Sequence, residues 1–202
     1  DENSVISPAD SFVTACGKLN KDTLLQIKGM EYNIDELLTY HVDENVKKVY
    51  DGSFMNFYLS PKDYHRYHAA ASCHITKLIH IPGKLYPVNI PYLNKEIDLF
   101  CQNERVILEC INDDGKHFYM VFVGALNVGQ MVFDFEPRVE TNRKPDDIVV
   151  YEYENQEVKK GDCLGYFKMG STVVMLWEKD FITLNNLTNQ KVSYGTMIAS
   201  IK

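Results

Sequence analysis

The stretch RVILECINDDGKHFYMVFVGAL, Arg105 to Leu126, decides the fold class of this chain. Two apolar runs of strand length flank Asn112-Asp113-Asp114-Gly115. Asn, Asp and Gly accept the left-handed backbone that a tight hairpin needs, so the spacing predicts an antiparallel pair, Arg105–Ile111 with His117–Leu126.

Strand character continues on either side. Phe12–Cys16 and the aromatic-rich Ser53–Leu59 read as strands, as do Val128–Phe135, Cys163–Lys168 and Thr172–Trp177. Ser72–Ile81 alternates, which places Cys73, Ile75, Lys77, Ile79 and Ile81 on one face. Asn33 with Glu36 three residues on forms a capping box, so a helix is predicted from Asp35 through Leu38, continuing in pieces to about Lys48. Pro137–Asp147 is polar and reads as an exposed loop. The fold class expected is mainly β with a helical N-terminal portion (α+β). Its C-terminal part resembles a small β-sandwich or barrel of the biotinyl/lipoyl-like kind.

The chain has 202 residues, 45% of them apolar, which suits a single domain over 1–202. Thirteen Tyr and ten Phe favour sheet over a helical bundle. A formal net charge of -7 argues against nucleic acid as a partner. Five cysteines at irregular spacing do not make a complete disulfide framework. No stretch approaches the ~20 apolar residues of a membrane-spanning helix. The opening DENSVISPAD has no initiator Met, so the chain reads as a fragment or processed form whose anchor or targeting segment is expected upstream.

Two stretches carry candidate chemistry. In FKMGSTVVMLWE, Phe167–Glu178, a Gly-Ser-Thr step interrupts an apolar run. It reads either as a bulge or tight bend, or as a reactive Gly170–Ser171 bond. In YLSPKDYHRYHAAASCH, Tyr58–His74, Asp63, His65 and His68 fall close together. They read as an inert polar loop, as zinc ligands joined by His74 or His80, or as acid–base groups. The histidine spacing is not that of a standard zinc motif, and no metal is assigned. A Ser in a Gly-Ser step, a His cluster and the Asp of Ser7-Pro8-Ala9-Asp10 supply the residue types of a nucleophile, a base and an orienting carboxylate. No GxSxG elbow is present.

With these motifs in order, SPAD, LSPKDYHRYH, IPGKLYPVN, NERV, VGA and FKMGSTV, the sequence resembles the phosphatidylserine decarboxylase family across nearly its whole length. It departs from the family habit at Met169, where Leu is common, and at Ser11, where Gly often follows SPAD. The resemblance implies self-cleavage between Gly170 and Ser171, giving a β chain, 1–170, and an α chain, 171–202. Ser171 would attack the Gly170 carbonyl and end as a covalent pyruvoyl group. By the same resemblance His68 is the base, Asp10 orients it, Asp63 assists, and His65 returns a proton during decarboxylation. The substrate implied is phosphatidylserine, which would condense with the pyruvoyl ketone as a Schiff base and leave as phosphatidylethanolamine and CO2. The family further implies a homodimer associated with a membrane surface, whether mitochondrial inner membrane, endomembrane or bacterial inner membrane.

Aromatic residues such as Phe54, Phe57, Tyr58, Tyr64 and Tyr67 read as core or as lipid-interface contacts. Lys47, Lys48, Lys62, Arg66, Lys77 and Lys84 read as scattered solvated cations or as a local basic patch. Other functions stay open at this point. One is an unprocessed or silent phospholipid-binding homologue; another is a pyruvoyl decarboxylase of a soluble amino acid. A lipoyl-like carrier fits Lys168-Met169 but needs no SPAD and no histidine cluster.

Overall fold

The computed structural model describes residues 2–21, 23–25, 31–88, 98–126, 130–142 and 147–202. In chain order the strands are β1 (Ser4–Ile6), β2 (Ser11–Lys18), β3 (Thr23–Leu25), β4 (Glu31–Asn33), β5 (Ser53–Tyr58), β6 (Arg66–His68), β7 (Cys73–Ile81) and β8 (Arg105–Ile111). They continue as β9 (His117–Val123), β10 (Met131–Phe133), β11 (Val149–Val158), β12 (Cys163–Phe167), β13 (Thr172–Trp177), β14 (Ile182–Leu184), β15 (Gln190–Val192) and β16 (Met197–Ile201).

Eight strands form one open antiparallel sheet in the order β11-β7-β8-β9-β13-β5-β2-β15. The hairpin of the opening stretch lies near its middle, with Arg105 opposite Val123 and Ile111 opposite His117. Every residue of β9 and β13 is buried, which explains their unbroken apolar runs. Two smaller sheets, β10-β12-β6 and β1-β16-β14, and the β3-β4 pair complete the architecture. Tyr67 of β6 packs its ring on Phe122, Phe133 and Phe167, joining the β10-β12-β6 sheet to the large one.

Three expectations are corrected. There is no helical N-terminal portion: the chain begins with β1 and β2, and helix among the described residues is short. The cap is formed, with Asn33 Oδ1 accepting from Glu36 N at 3.1 Å, but the helix covers only Ile34–Leu38. Thr39, at φ 64, turns the chain out of helical geometry, and Tyr40–Val49 continues as a 3-10 segment. Nor is the C-terminal part a separate small sandwich. Its strands disperse: β12 joins β6 and β10, β13 enters the large sheet, β15 lines its edge, and β14 and β16 pair with each other beside β1. Finally, the alternation of β7 breaks at Thr76, where a bulge shifts the register between Ile75 and Lys77. Ile75 pairs with Cys110 and Lys77 with Glu109, so Lys77, Ile79 and Ile81 lie on the face opposite Ile75.

Part of the expected strand Val128–Phe135 lies outside the described residues, as do Asn89 of IPGKLYPVN and part of the loop Pro137–Asp147; the observed strand is Met131–Phe133.

Candidate active site

The chain leaves the β10-β12-β6 sheet at the end of β12 and enters the large sheet at β13. Lys168–Ser171 is the crossing, so the Gly-Ser step lies between two strands rather than within one. Thr172, the first residue of β13, is flanked by Tyr58 on one side and Val123 on the other. That pairing sets Ser171 between the ends of β5 and β9. Ser171 is wholly buried, its Oγ donates to the Val123 carbonyl, and its own carbonyl accepts from Leu59 N at 2.7 Å.

Gly170 is demanded by space. A Cβ there would lie 2.5 Å from Leu59 O, 2.7 Å from Pro61 N and 2.9 Å from Ser60 C. These are backbone atoms and cannot swing aside. The Leu59-Ser60-Pro61 corner is itself locked by Asp63, whose Oδ2 accepts from Ser60 N at 2.8 Å while its N–H donates to Ser60 O at 2.9 Å. Asp63 therefore closes the turn against which Gly170 packs.

His68 is buried at the end of β6. Its Nδ1 lies 2.9 Å from Gly161 O and its Nε2 3.1 Å from Tyr64 Oη. A carbonyl only accepts, so Nδ1 carries a proton and, in the neutral ring, Nε2 holds the lone pair. Tyr194 stacks on the imidazole, with ring centroids 3.8 Å apart, and donates its own Oη to Gly161 O at 2.8 Å. Gly161 sits at φ 91 in a turn tied back to the residue after His68, through Gly161 N to Ala69 O (2.8 Å) and Ala69 N to Asp162 O (2.9 Å).

Asp10 accepts from Tyr194 N at 2.7 Å. It lies in the connection between β1 and β2, and Tyr194 in the connection between β15 and β16. Because β1 pairs with β16 and β2 with β15, the two connections are neighbours. The structure thus unites Asp10, Tyr194 and His68 in one group, and Gly170, Ser171 and Asp63 in another. Its described hydrogen bonds include none from Ser171 to a histidine or from Asp10 to His68. His65 precedes β6; its carbonyl accepts from Phe167 N at 2.9 Å, while its Nε2 is shielded from solvent with no hydrogen-bond partner among the described residues. His74 and His80 lie on β7; His80 is committed to Glu104 at 2.9 Å.

A cleft of ≈ 390 Å³ opens beside the corner, lined by Asp10, Tyr58, Ser60, Lys62, Asp63 and Lys191 among others. Burial, followed by the nearby Asp63 charge, holds the Tyr58 hydroxyl above its usual pKa, so it faces the cleft as a neutral donor.

The motifs IPGKLYPVN, NERV and VGA also converge here. Asn103, fully buried, accepts from Tyr86 N (3.0 Å) and donates to Tyr86 O and Gly124 O (both 2.8 Å). Gly124 N donates to Glu104 O at 2.7 Å, and Gly83 approaches the Gln102–Glu104 backbone so closely that a Cβ would meet Gln102 O at 2.6 Å. This frame holds the end of β9, and with it the carbonyl that accepts the Ser171 hydrogen bond.

The profile of the phosphatidylserine decarboxylase family matches residues 1–200, in line with the geometry just described. The chain belongs to this family. Among relatives named phosphatidylserine decarboxylase proenzyme, that of Helicobacter pylori strain J99 is 43% identical over 197 residues, spanning 97% of this chain and 72% of its own length. That of Campylobacter jejuni is 40% identical over 204 residues, 98% of this chain and 75% of its own. That of Francisella philomiragia is 34% identical over 206 residues, spanning all of this chain and 71% of its own. Against the phosphatidylserine decarboxylase motifs, the structure adds contacts that sequence reasoning did not assign: Tyr64 and Tyr194 on His68, Gly161 on its Nδ1, and Asn103 in the frame at the end of β9. Tyr64 stood inside LSPKDYHRYH and Asn103 opens NERV, so both were within reach; nothing local to Gly161 or Tyr194 signals their part.

Proposed function

We propose that this chain is a self-processing decarboxylase that converts phosphatidylserine to phosphatidylethanolamine and CO2, with a pyruvoyl cofactor made from its own Ser171. The observation that carries this reading is the crossing at Gly170–Ser171. A glycine with no room for a Cβ precedes a buried serine whose hydroxyl and carbonyl are both tied down.

In the processing reaction Ser171 Oγ forms a bond to the Gly170 carbonyl carbon and loses its proton to His68. The Gly170–Ser171 C–N bond breaks, and the nitrogen takes up a proton. The resulting ester loses the Ser171 Cα proton, and its Cβ–Oγ bond breaks. That step releases 1–170 as a carboxylate and leaves dehydroalanine at 171. Water then replaces nitrogen as ammonia. Nε2 of His68, the ring nitrogen without a fixed proton, is the atom suited to accept from Ser171. The steric fit supports the cofactor's origin: the pocket around 170–171 admits no side chain at 170 and shields Oγ from water.

At the start of 171–202 a pyruvoyl group supplies a covalent electron sink for the pair left when CO2 departs. The chain's own residues do the rest. His65 carries a shielded, unpartnered Nε2, an expensive arrangement unless a ligand engages it, and it returns a proton to the substrate Cα. Lys62 and Lys191 at the cleft offer charge to a phosphodiester. The exposed side chains of Leu126, Tyr64 and Met169 follow Val123, precede His68 and adjoin Gly170 respectively, which supports approach to a lipid surface. No helix among the described residues is long and apolar enough to cross a membrane.

The test is an assay of the purified protein with phosphatidylserine vesicles and, separately, with free serine. Phosphatidylethanolamine and CO2 from the vesicles only, abolished in Ser171→Ala, are expected. Turnover of serine alone, or lipid turnover by Ser171→Ala, would overturn the reading.

A further inference from the structure

The orienting carboxylate expected from the resemblance, Asp10, accepts from the backbone of Tyr194 at 2.7 Å, and the Nδ1 position where an orienting acid would sit is filled by Gly161 O at 2.9 Å. We infer that Tyr194 is a positioning residue through which Asp10 acts on His68. Asp10 fixes the Tyr194 backbone; the Tyr194 ring, stacked 3.8 Å from the imidazole, fixes the plane of His68; and Tyr194 Oη, at 2.8 Å, fixes the carbonyl that holds Nδ1–H. The Tyr194 ring thus sets the plane of the base, and its hydroxyl buttresses the Gly161 carbonyl that sets the tautomer. The inference rests on the proposed role of His68 in processing.

The surroundings make this a built arrangement. His68 N donates to Pro8 O at 2.9 Å, so the SPAD segment and the base share a backbone bond. Ser7, fully buried, donates through its N–H to Thr196 O (2.7 Å), and its carbonyl accepts from Gly195 N (3.2 Å). Both sides of the Asp10–Tyr194 contact are therefore pinned. A Cβ at Gly161 would stand 3.2 Å from Tyr194 Oη, so the turn and the phenol are closely fitted. Tyr194 also lies beyond Ser171, on the fragment 171–202. Cleavage at Gly170–Ser171 would leave that fragment attached to the base it has just used.

An acid that acts by holding an amide and an acid that acts by its charge differ in one respect. Asparagine keeps an oxygen acceptor for Tyr194 N but carries no charge. The test follows self-cleavage of freshly synthesised precursor in a cell-free system, across pH, for Asp10→Asn, Asp10→Ala, Tyr194→Phe, Tyr194→Leu and the pair Asp10→Ala/Tyr194→Leu. The expected result is that Asp10→Asn and Tyr194→Phe stay within about fivefold of the parent with its pH profile, since each keeps the stack and loses at most one neutral hydrogen bond. Asp10→Ala and Tyr194→Leu should each slow cleavage by about 30-fold or more, and the double variant should be little slower than the worse single one. The inference is overturned if Asp10→Asn is as slow as Asp10→Ala, which means direct action by charge, or if Tyr194→Leu cleaves at the parent rate. The Asp10→Asn comparison stands even if Tyr194→Leu misfolds. His68→Ala separates the levels: parent-rate cleavage in that variant would sink the role of His68 itself.

Discussion

Gly170 lies so close to Leu59 that a Cβ on the glycine would come within 2.5 Å of the Leu59 carbonyl oxygen. Both residues flank hydrogen-bonded strands of one sheet, and Leu59 N also holds the Ser171 carbonyl at 2.7 Å. The contact therefore sets where the Gly170–Ser171 bond lies. Gly170→Ala should push the crossing away from the Leu59–Pro61 corner. Overpacking of this kind costs ~1–3 kcal/mol, and a displaced reactive bond slows cleavage by about 10²-fold. Precursor accumulation on a denaturing gel, with urea unfolding as control, measures both.

His65→Ala should leave self-cleavage near the parent rate and lower decarboxylation by ~10²–10⁴-fold, the usual contribution of a placed proton donor. Gel conversion and lipid turnover, measured on the same preparation, separate the two. A His65→Ala precursor that stays intact would reverse the roles assigned to His65 and His68.

Asn103→Ala should lower stability by about 2–3 kcal/mol, because it leaves the buried Gly124 carbonyl and the part-buried Tyr86 backbone groups without their partner. Since Gly124 follows the carbonyl that accepts the Ser171 hydrogen bond, cleavage should slow as well. Urea denaturation checks the first effect and precursor conversion the second.

The large sheet was legible because its central strands carry their own signals. Asn112–Gly115 is a local turn, and Phe118–Val123 and Thr172–Trp177 are apolar on both faces. What escaped was set by distant parts of the chain. The bulge at Thr76 is a property of β7 against β8 and reverses a face that alternation alone assigns. Thr39 ends a helix that was correctly capped at Asn33. The C-terminal strands read as a local unit, yet β15 pairs with β2 and β16 with β1, contacts closed across most of the sequence. The same long-range pairing brings Tyr194 to Asp10 and His68. Ser171, His68 and Asp10 stand in motifs of the sequence; Tyr194 and Gly161 have no motif, and their contacts with His68 exist only in the folded chain.

Glu136 gives the fold an acid-sensitive contact. The Arg138 guanidinium donates to it at 2.6 and 2.7 Å, joined by Tyr153 Oη at 2.8 Å, and these bonds hold its carboxyl at about 2 instead of 4.5. The folded value lies below the unfolded one. The stabilisation is therefore complete above the ordinary carboxylate pKa and is lost as pH falls toward the folded value. Arg138 is largely exposed, which limits the gain to about 1 kcal/mol. Glu136→Gln should unfold at lower urea than the parent at neutral pH, and the two should converge as pH falls from 4.5 toward about 2.

The central claim is that the protein makes its cofactor by cutting at Gly170–Ser171. A denaturing intact-mass spectrum tests it most directly. The account expects two species, 1–170 ending at Gly170 and 171–202 lighter than its serine form by one ammonia. A single 23.3 kDa species in a preparation that decarboxylates phosphatidylserine would contradict it.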